Sequence, residues 1–264
     1  MRYTLLLLLF IGSELSANEL RFNELRFVSV DEPPANFLNE RGGVNGYVAE
    51  IIKELQKQLK IDNEIEVMPE ARALHTLDAN PNVVMFSISR TPEREQKYHW
   101  LAHVLTKRWI FYSLHDSPLD VSSLEQVIHS RTIGVVRGDI REKWLQERQA
   151  SKLVRILNYN NAIEMLLMER IDLLFYESFG VYGTLKKLGY KSNMIKSQFV
   201  ANASNVYIVM SKTVGSEVMA EALQSRLTEL KKSKWYQANT KRWVDDLNRS
   251  GGADAWVFKG ILHY

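Results

Sequence analysis

The chain contains no cysteine among its 264 residues. That excludes disulfides, thiolate nucleophiles and cysteine-ligated metals, and in an oxidising compartment it leaves stability to the packed core alone. No run of five or six like charges interrupts the mixture of 34 basic and 31 acidic residues, whose net charge is +3. Neither a charged tail nor a nucleic-acid stripe is therefore present, and no nucleic-acid partner is expected. No apolar run approaches the roughly 20 residues of a membrane-spanning helix. Also missing are a Gly-x-Ser-x-Gly elbow, a Gly-x-x-x-x-Gly-Lys loop and a Gly-x-Gly-x-x-Gly fingerprint, so nothing prescribes a catalytic nucleophile or a nucleotide cofactor. His99 and His103 are four apart, but Trp100 rather than a glutamate follows His99, and no metal is expected.

What is present suits a globular protein of two lobes: 45% hydrophobic and 25% charged residues in a chain long enough for a sizeable core. Met1-Arg2-Tyr3-Thr4, the apolar run Leu5 to Ile11 and the ending Leu15-Ser16-Ala17 read as a secretory signal over residues 1–17, which predicts cleavage and a periplasmic location. Glu14 and the bulk of Leu15 leave the cut itself open.

After it, strands and helices alternate. Leu25 to Val30 is a β-rich run stopped by Pro33-Pro34, and Val48, Ile51, Ile52, Leu55 and Leu59 fall at helical spacing over about 47–60. A short strand at 65–68 and a helix at 71–77 lead to Val83–Ser89, whose nearly continuous apolar run suits a strand buried on both faces. Trp109 to Leu114 reads as a strand and His115 to Pro118 as a loop between lobes. A second series follows: strands at 132–136, 153–157 and 171–176 alternate with helices at 140–149, 162–168 and 181–188. A strand at 206–210 and a helix at 217–230 come last. The expected architecture is α/β, with one lobe from 18–112 plus 199–264, a second inserted at 113–198, and an open sheet flanked by helices in each. Ligands of such sheets bind outside the carboxyl ends of strands, which selects the loops at Asp31, Ser89, Gly138 and Glu177.

Ser87-Ile88-Ser89-Arg90-Thr91-Pro92-Glu93-Arg94-Glu95 is the most informative stretch. A strand ends, hydroxyls and free amides follow, Pro92 stands as at a first helical turn, and Arg94 offers a planar fork for a carboxylate. The competing reading makes Arg94 a surface residue paired with Glu93 or Glu95. Together with Gly46-Tyr47-Val48-Ala49-Glu50-Ile51 and Ile171-Asp172-Leu173-Leu174-Phe175-Tyr176-Glu177-Ser178, this stretch resembles the periplasmic solute-binding proteins of the polar amino-acid class. These are extracellular solute-binding proteins of family 3, with the type 2 periplasmic-binding fold. The resemblance implies that Arg94 binds a ligand α-carboxylate with help from Ser89, and that Glu177 receives the α-amino group; a plain helix cap is the alternative for Glu177. It also marks departures: Glu32 stands about where an aromatic ring covers the ligand, and Asp139 or Ile140 replaces a hydroxyl in the loop at Gly138. Asp139 with Glu142 equally reads as a capping box. Arg72 stands where relatives carry a cleft arginine, and Trp109 is the best candidate among the tryptophans for stacking on a ligand, with solvated and core positions as the respective alternatives.

The resemblance thus implies a monomeric periplasmic protein, without cofactor, that closes by hinge motion on an amino acid or small carboxylate and serves an inner-membrane ABC permease. A ligand-sensing module facing a membrane sensor is the alternative. A dehydratase on the same fold, with Glu177 or Glu32 as acid or base, is a third. The tail from Gly251 to Phe258 has no assignment.

Overall fold

A computed structural model of the chain describes residues 21–39, 41–249 and 254–264. The predicted export signal at 1–17 lies outside them, as do Gly251, Gly252 and Ala253 of the tail. The chain enters β1 (Arg26–Ser29), makes a small ribbon of β2 (Phe37–Leu38) and β3 (Val44–Asn45), and continues through α1 (Tyr47–Leu59), β4 (Ile65–Val67), α2 (Glu70–Ala79) and β5 (Val83–Ser89). It then crosses to the second lobe in β6 (Tyr98–Leu114). That lobe is built from β7 (Ile133–Val136), α3 (Ile140–Glu147), β8 (Leu153–Ile156), α4 (Tyr159–Leu167), β9 (Leu173–Glu177) and α5 (Ser178–Lys187). The return is β10 (Ile195–Ser211), followed by α6 (Glu217–Lys232), α7 (Lys234–Arg249), β11 (Trp256–Phe258) and β12 (Ile261–His263).

The strand order β4-β1-β5-β10-β6-β9-β7-β8 runs through both lobes, because β6 and β10 are 17 residues each and pair antiparallel along their whole lengths. Here the fold departs from expectation: the strand predicted at 109–114 begins at Tyr98, the one predicted at 206–210 begins at Ile195, and the chain changes lobes within them rather than at 115–118. Parallel pairs β1–β4 and β1–β5 on one side, and β7–β8 and β7–β9 on the other, form the two α/β halves.

Side-chain alternation explains the apolar run of β5. Val84 and Phe86 enter the core under α1 and α6, whereas Val83, Met85 and Ile88 enter the one under α2, so both faces are buried. In the second lobe, Leu174 and Tyr176 of β9 pack with Ile110 and Tyr112 toward α4 and α5. Leu173 and Phe175 pack with Trp109 and Phe111 on the other face. The apolar clusters change from one lobe to the other between Leu105 and Trp109 on β6. Gly46 is required at the entry to α1: its φ is +122°, and a Cβ there would stand 2.5 Å from the Ala35 carbonyl oxygen. That approach lets the Pro34 and Ala35 carbonyls accept from the Tyr47 and Val48 amides at 2.9 and 2.8 Å, so the loop after β1 is tied to the helix.

Candidate functional site

The parallel strands of both halves end on one cleft of about 1630 Å³, and the loops at Asp31, Ser89, Gly138 and Glu177 all line it. In the first lobe β5 reaches the cleft through a bulge. Tyr207 and Ile208 of β10 pair with Ile88 and Phe86, leaving Ser87 unpaired at φ +66°. A non-glycine residue in that conformation is held by its surroundings, and Ser87 is held by the hydrogen bond its hydroxyl donates to Asn36 Oδ1. Asn36 in turn donates to the Val30 carbonyl, which pins the loop carrying Glu32. No sequence motif marks this bulge.

Beyond β5, residues 92–97 form turns rather than the helix expected after Pro92. Arg90 turns outward, donating from Nε to Glu95 Oε2 at 2.8 Å and lying over the rings of Trp100 and Tyr207. Glu93 meets Lys143 across the cleft mouth at 2.5 Å. Neither acid therefore takes Arg94, whose guanidinium donates to the Ser89 carbonyl at 3.3 Å and stands 3.6 Å from the exposed carboxylate of Glu70. Both contacts are long, and the group faces the cleft with its hydrogen-bonding capacity largely unused. The Ser89 hydroxyl accepts from Ser204 Oγ at 2.8 Å.

In the second lobe Glu177 ends β9 and caps α5, accepting from the amides of Phe179 at 3.0 Å and Gly180 at 2.6 Å. The capping role is thus real, and it holds the carboxylate where it lines the cleft. Burial raises its carboxyl above the ordinary range; Lys107 and Arg141 pull it down, and Glu32 pushes it up. Gly180 lets this happen, because a Cβ there would fall 2.4 Å from Glu177 Oε1 and 2.6 Å from the Tyr176 ring. Arg141 is buried in the wall of the cleft, bidentate on Asp139 and 2.6 Å from the Tyr159 hydroxyl. Burial works against charge on Asp139, but Arg141 outweighs it and the carboxyl lies below its usual range. Tyr159 and Tyr176 stack at 3.8 Å and both line the cleft, an aromatic wall that the sequence did not signal.

Asp139 caps α3 by accepting from the Arg141 amide at 2.8 Å, while Glu142 accepts from Gly138 rather than closing back on Asp139. The Gly138 amide is therefore already engaged at 2.6 Å and is not free for an anion. Two expected residues lie elsewhere. Arg72 is exposed and does not line the cleft; its charge acts on Glu66, which is paired with Arg26 on the outer edge of the sheet. Trp109 is 5% exposed and edge-on to Trp144 and Phe175 in the second-lobe core. Glu32 does line the cleft, in an ion pair with Lys107 of β6.

The family model for bacterial extracellular solute-binding proteins, family 3, matches residues 26–246. Among curated proteins no sequence matches. Of the solved structures, a histidine kinase sensor domain with similarity to periplasmic binding proteins superposes with a TM-score of 0.72 at 17% identity, covering 84% of this chain and 97% of its own. An ancestral arginine-binding protein bound to arginine gives 0.67 at 19%, covering 84% and 99%. The substrate-binding protein of an amino acid ABC transporter gives 0.65 at 19%, again covering 84% and 99%. These neighbours share the two-lobed fold.

Proposed function

This chain belongs to the bacterial extracellular solute-binding proteins of family 3, and we propose that it captures an amino acid or a closely related small carboxylate by closing its two lobes over it. The observation that carries this reading is that Arg94 and Glu177 line the same cleft from opposite lobes. A fork of guanidinium donors on one wall and a buried carboxylate on the other match the two ends of a zwitterion. A molecule held at both ends stabilises the closed arrangement by its differential contacts with it. Bending at the stretch of β6 and β10 between the two lobe cores would leave each core intact. Among the described residues no helix is long and apolar enough to cross a membrane. We place delivery to an ABC permease first. The sensor-domain neighbour, with the highest of the three TM-scores quoted, favours a second role in which the closed form is read by a membrane sensor.

The test is a thermal-shift screen of the mature protein against amino acids, small carboxylates, polyamines and sugars. Ligand at a hundred times its Kd adds about 2.7 kcal/mol to the native state, a rise of several degrees in Tm for a protein of this size. One amino acid is expected to give that rise, and Arg94→Ala to abolish it while the unliganded Tm stays within a degree or two. A rise that survives Arg94→Ala contradicts the carboxylate clamp.

A further inference from the structure

Lys107 lies behind the cleft rather than on it. It sits on β6 where the apolar clusters change lobes, its side chain only 8% exposed and ion-paired to Glu32 from the loop after β1. Across the sheet Trp109 is the partner of Glu177. Lys107, two residues earlier on the same face of β6, is therefore diagonal to Glu177, a separation of about 7–8 Å in a regular pair. Its ammonium group is accordingly the strongest of the charges acting on Glu177.

Tyr264 closes off the back of this arrangement. Its amide donates to the Thr106 carbonyl at 3.1 Å, and its carbonyl accepts from the Arg108 amide at 2.7 Å, so the tail brackets Lys107 on β6. The ring of Tyr264 is 1% exposed and packs edge-on to Phe179 of α5. Its hydroxyl has no hydrogen-bond partner among the described residues. The tail lies beyond the 26–246 covered by the family match. The groups facing Glu177 are then Glu32, Lys107, Tyr112, Arg141, Tyr176 and Tyr264. Arg141 is already bidentate on Asp139.

We propose that Lys107 is a positioning residue for the amine end of the solute site: the resident cation shared by one carboxylate from each wall, Glu32 and Glu177, leaving one negative charge for one ammonium group. This rests on the reading of the cleft given above, and it narrows the solute to one presenting a single ammonium group at that end. Without Lys107 the two carboxylates would repel, one would take up a proton, and the solute's ammonium would have to displace it.

The experiment is a carbon-13 NMR titration of the Glu177 carboxyl in the unliganded protein, assigned by Glu177→Gln, in wild type, Lys107→Met and Lys107→Arg. The midpoint is expected to rise by about one pH unit or more in Lys107→Met and to return in Lys107→Arg. Glu32→Gln, on a partly exposed loop, supplies the opposite sign: Lys107 is then left to Glu177 alone and the midpoint falls, a readout that stands even if Lys107→Met does not fold. Calorimetry of any amino acid found to bind should show affinity rising with pH across the Glu177 midpoint measured in Lys107→Met, over a range where the wild-type affinity is nearly flat. Midpoints that move in neither Lys107→Met nor Glu32→Gln overturn the role of Lys107, whatever the solute. Midpoints that move as stated, with no amino acid bound by wild type, uphold the shared charge and contradict the proposed function instead.

Discussion

At the scale of single residues, the site turns on Gly180. It occupies the first turn of α5, where glycine costs about 1 kcal/mol relative to alanine, yet any Cβ would overlap Glu177 and Tyr176. Gly180→Ala therefore sets a gain of about 1 kcal/mol in helix propensity against about 1–3 kcal/mol of overpacking, and the net effect on Tm is small or unfavourable. The effect on function is not balanced in this way. The Glu177 carboxylate must move off its cap, and solute affinity is expected to fall at least about tenfold, about 1.4 kcal/mol, by calorimetry. Unchanged affinity would mean that Glu177 does not touch the solute. That Arg94, Ser89 and Glu177 would reach one cleft was legible because each stands at or just after the end of a strand in a local run whose residue types suit anion or amine binding. Lys107 was not, since its partner Glu32 lies far off in the chain and only the folded sheet brings them together. That Arg72 and Trp109 do not line the cleft was hidden for a related reason: which face of a helix or strand meets the cleft depends on packing, not on the residue's own chemistry.

At the scale of elements, the long strands β6 and β10 set the mechanics. Their ladder shifts register at several points, including Val200/Asn202 and Val206/Tyr207 on either side of the lobe crossing. Such irregularities bend and twist a strand locally, which suits the bending that the proposed closure calls for there. They also break the strict alternation by which strands are read from sequence, and His99, His103 and Lys107 interrupt the apolar pattern of β6. The strands at 83–89 and 132–136 and the helix at 47–60, with unbroken periodicity, were readable to within a residue or so. The helix α7 and the hairpin β11–β12 were not, because their cores are supplied by other parts of the chain: Tyr236 of α7 packs under α1, and β12 is held by β6.

His103 on β6 yields a pH prediction. Its ring stacks on Tyr207 and its Nε2 lies 3.0 Å from both the Leu105 carbonyl and the Thr106 hydroxyl; burial, reinforced by Lys231, lowers its pKa to about 4. A histidine whose folded value is depressed contributes stability that is present above its unfolded value of about 6.5 and is lost as pH falls toward 4. The drop is worth at most about 3 kcal/mol, and roughly 1–2 once the ring's partial exposure is discounted. Wild-type Tm should therefore decline between about pH 6.5 and pH 4 more steeply than that of His103→Gln, and parallel curves would contradict the assignment.

At the scale of the molecule, two separately buried cores joined by two strands make rigid bodies with a cleft between them. The alternation of strands and helices announced both halves. Their relative placement, the joining of the two sheets by β6 and β10, and the tail paired with β6 needed the folded chain. Lys143 and Glu93 meet across the mouth of the cleft, but both are more than half exposed, and a pair of that kind is screened by salt and too weak to hold the lobes shut by itself. On the proposed reading, closure comes from the solute. The absence of cysteine allows this to be measured without background, using spin labels on two introduced cysteines, at exposed His75 of the first lobe and exposed Lys186 of the second. With the best-binding amino acid at saturation, the distance distribution between the labels is expected to shift and narrow in wild type and to stay at its unliganded form in Arg94→Ala. A wild-type distribution that does not change while the solute is demonstrably bound would contradict capture by closure.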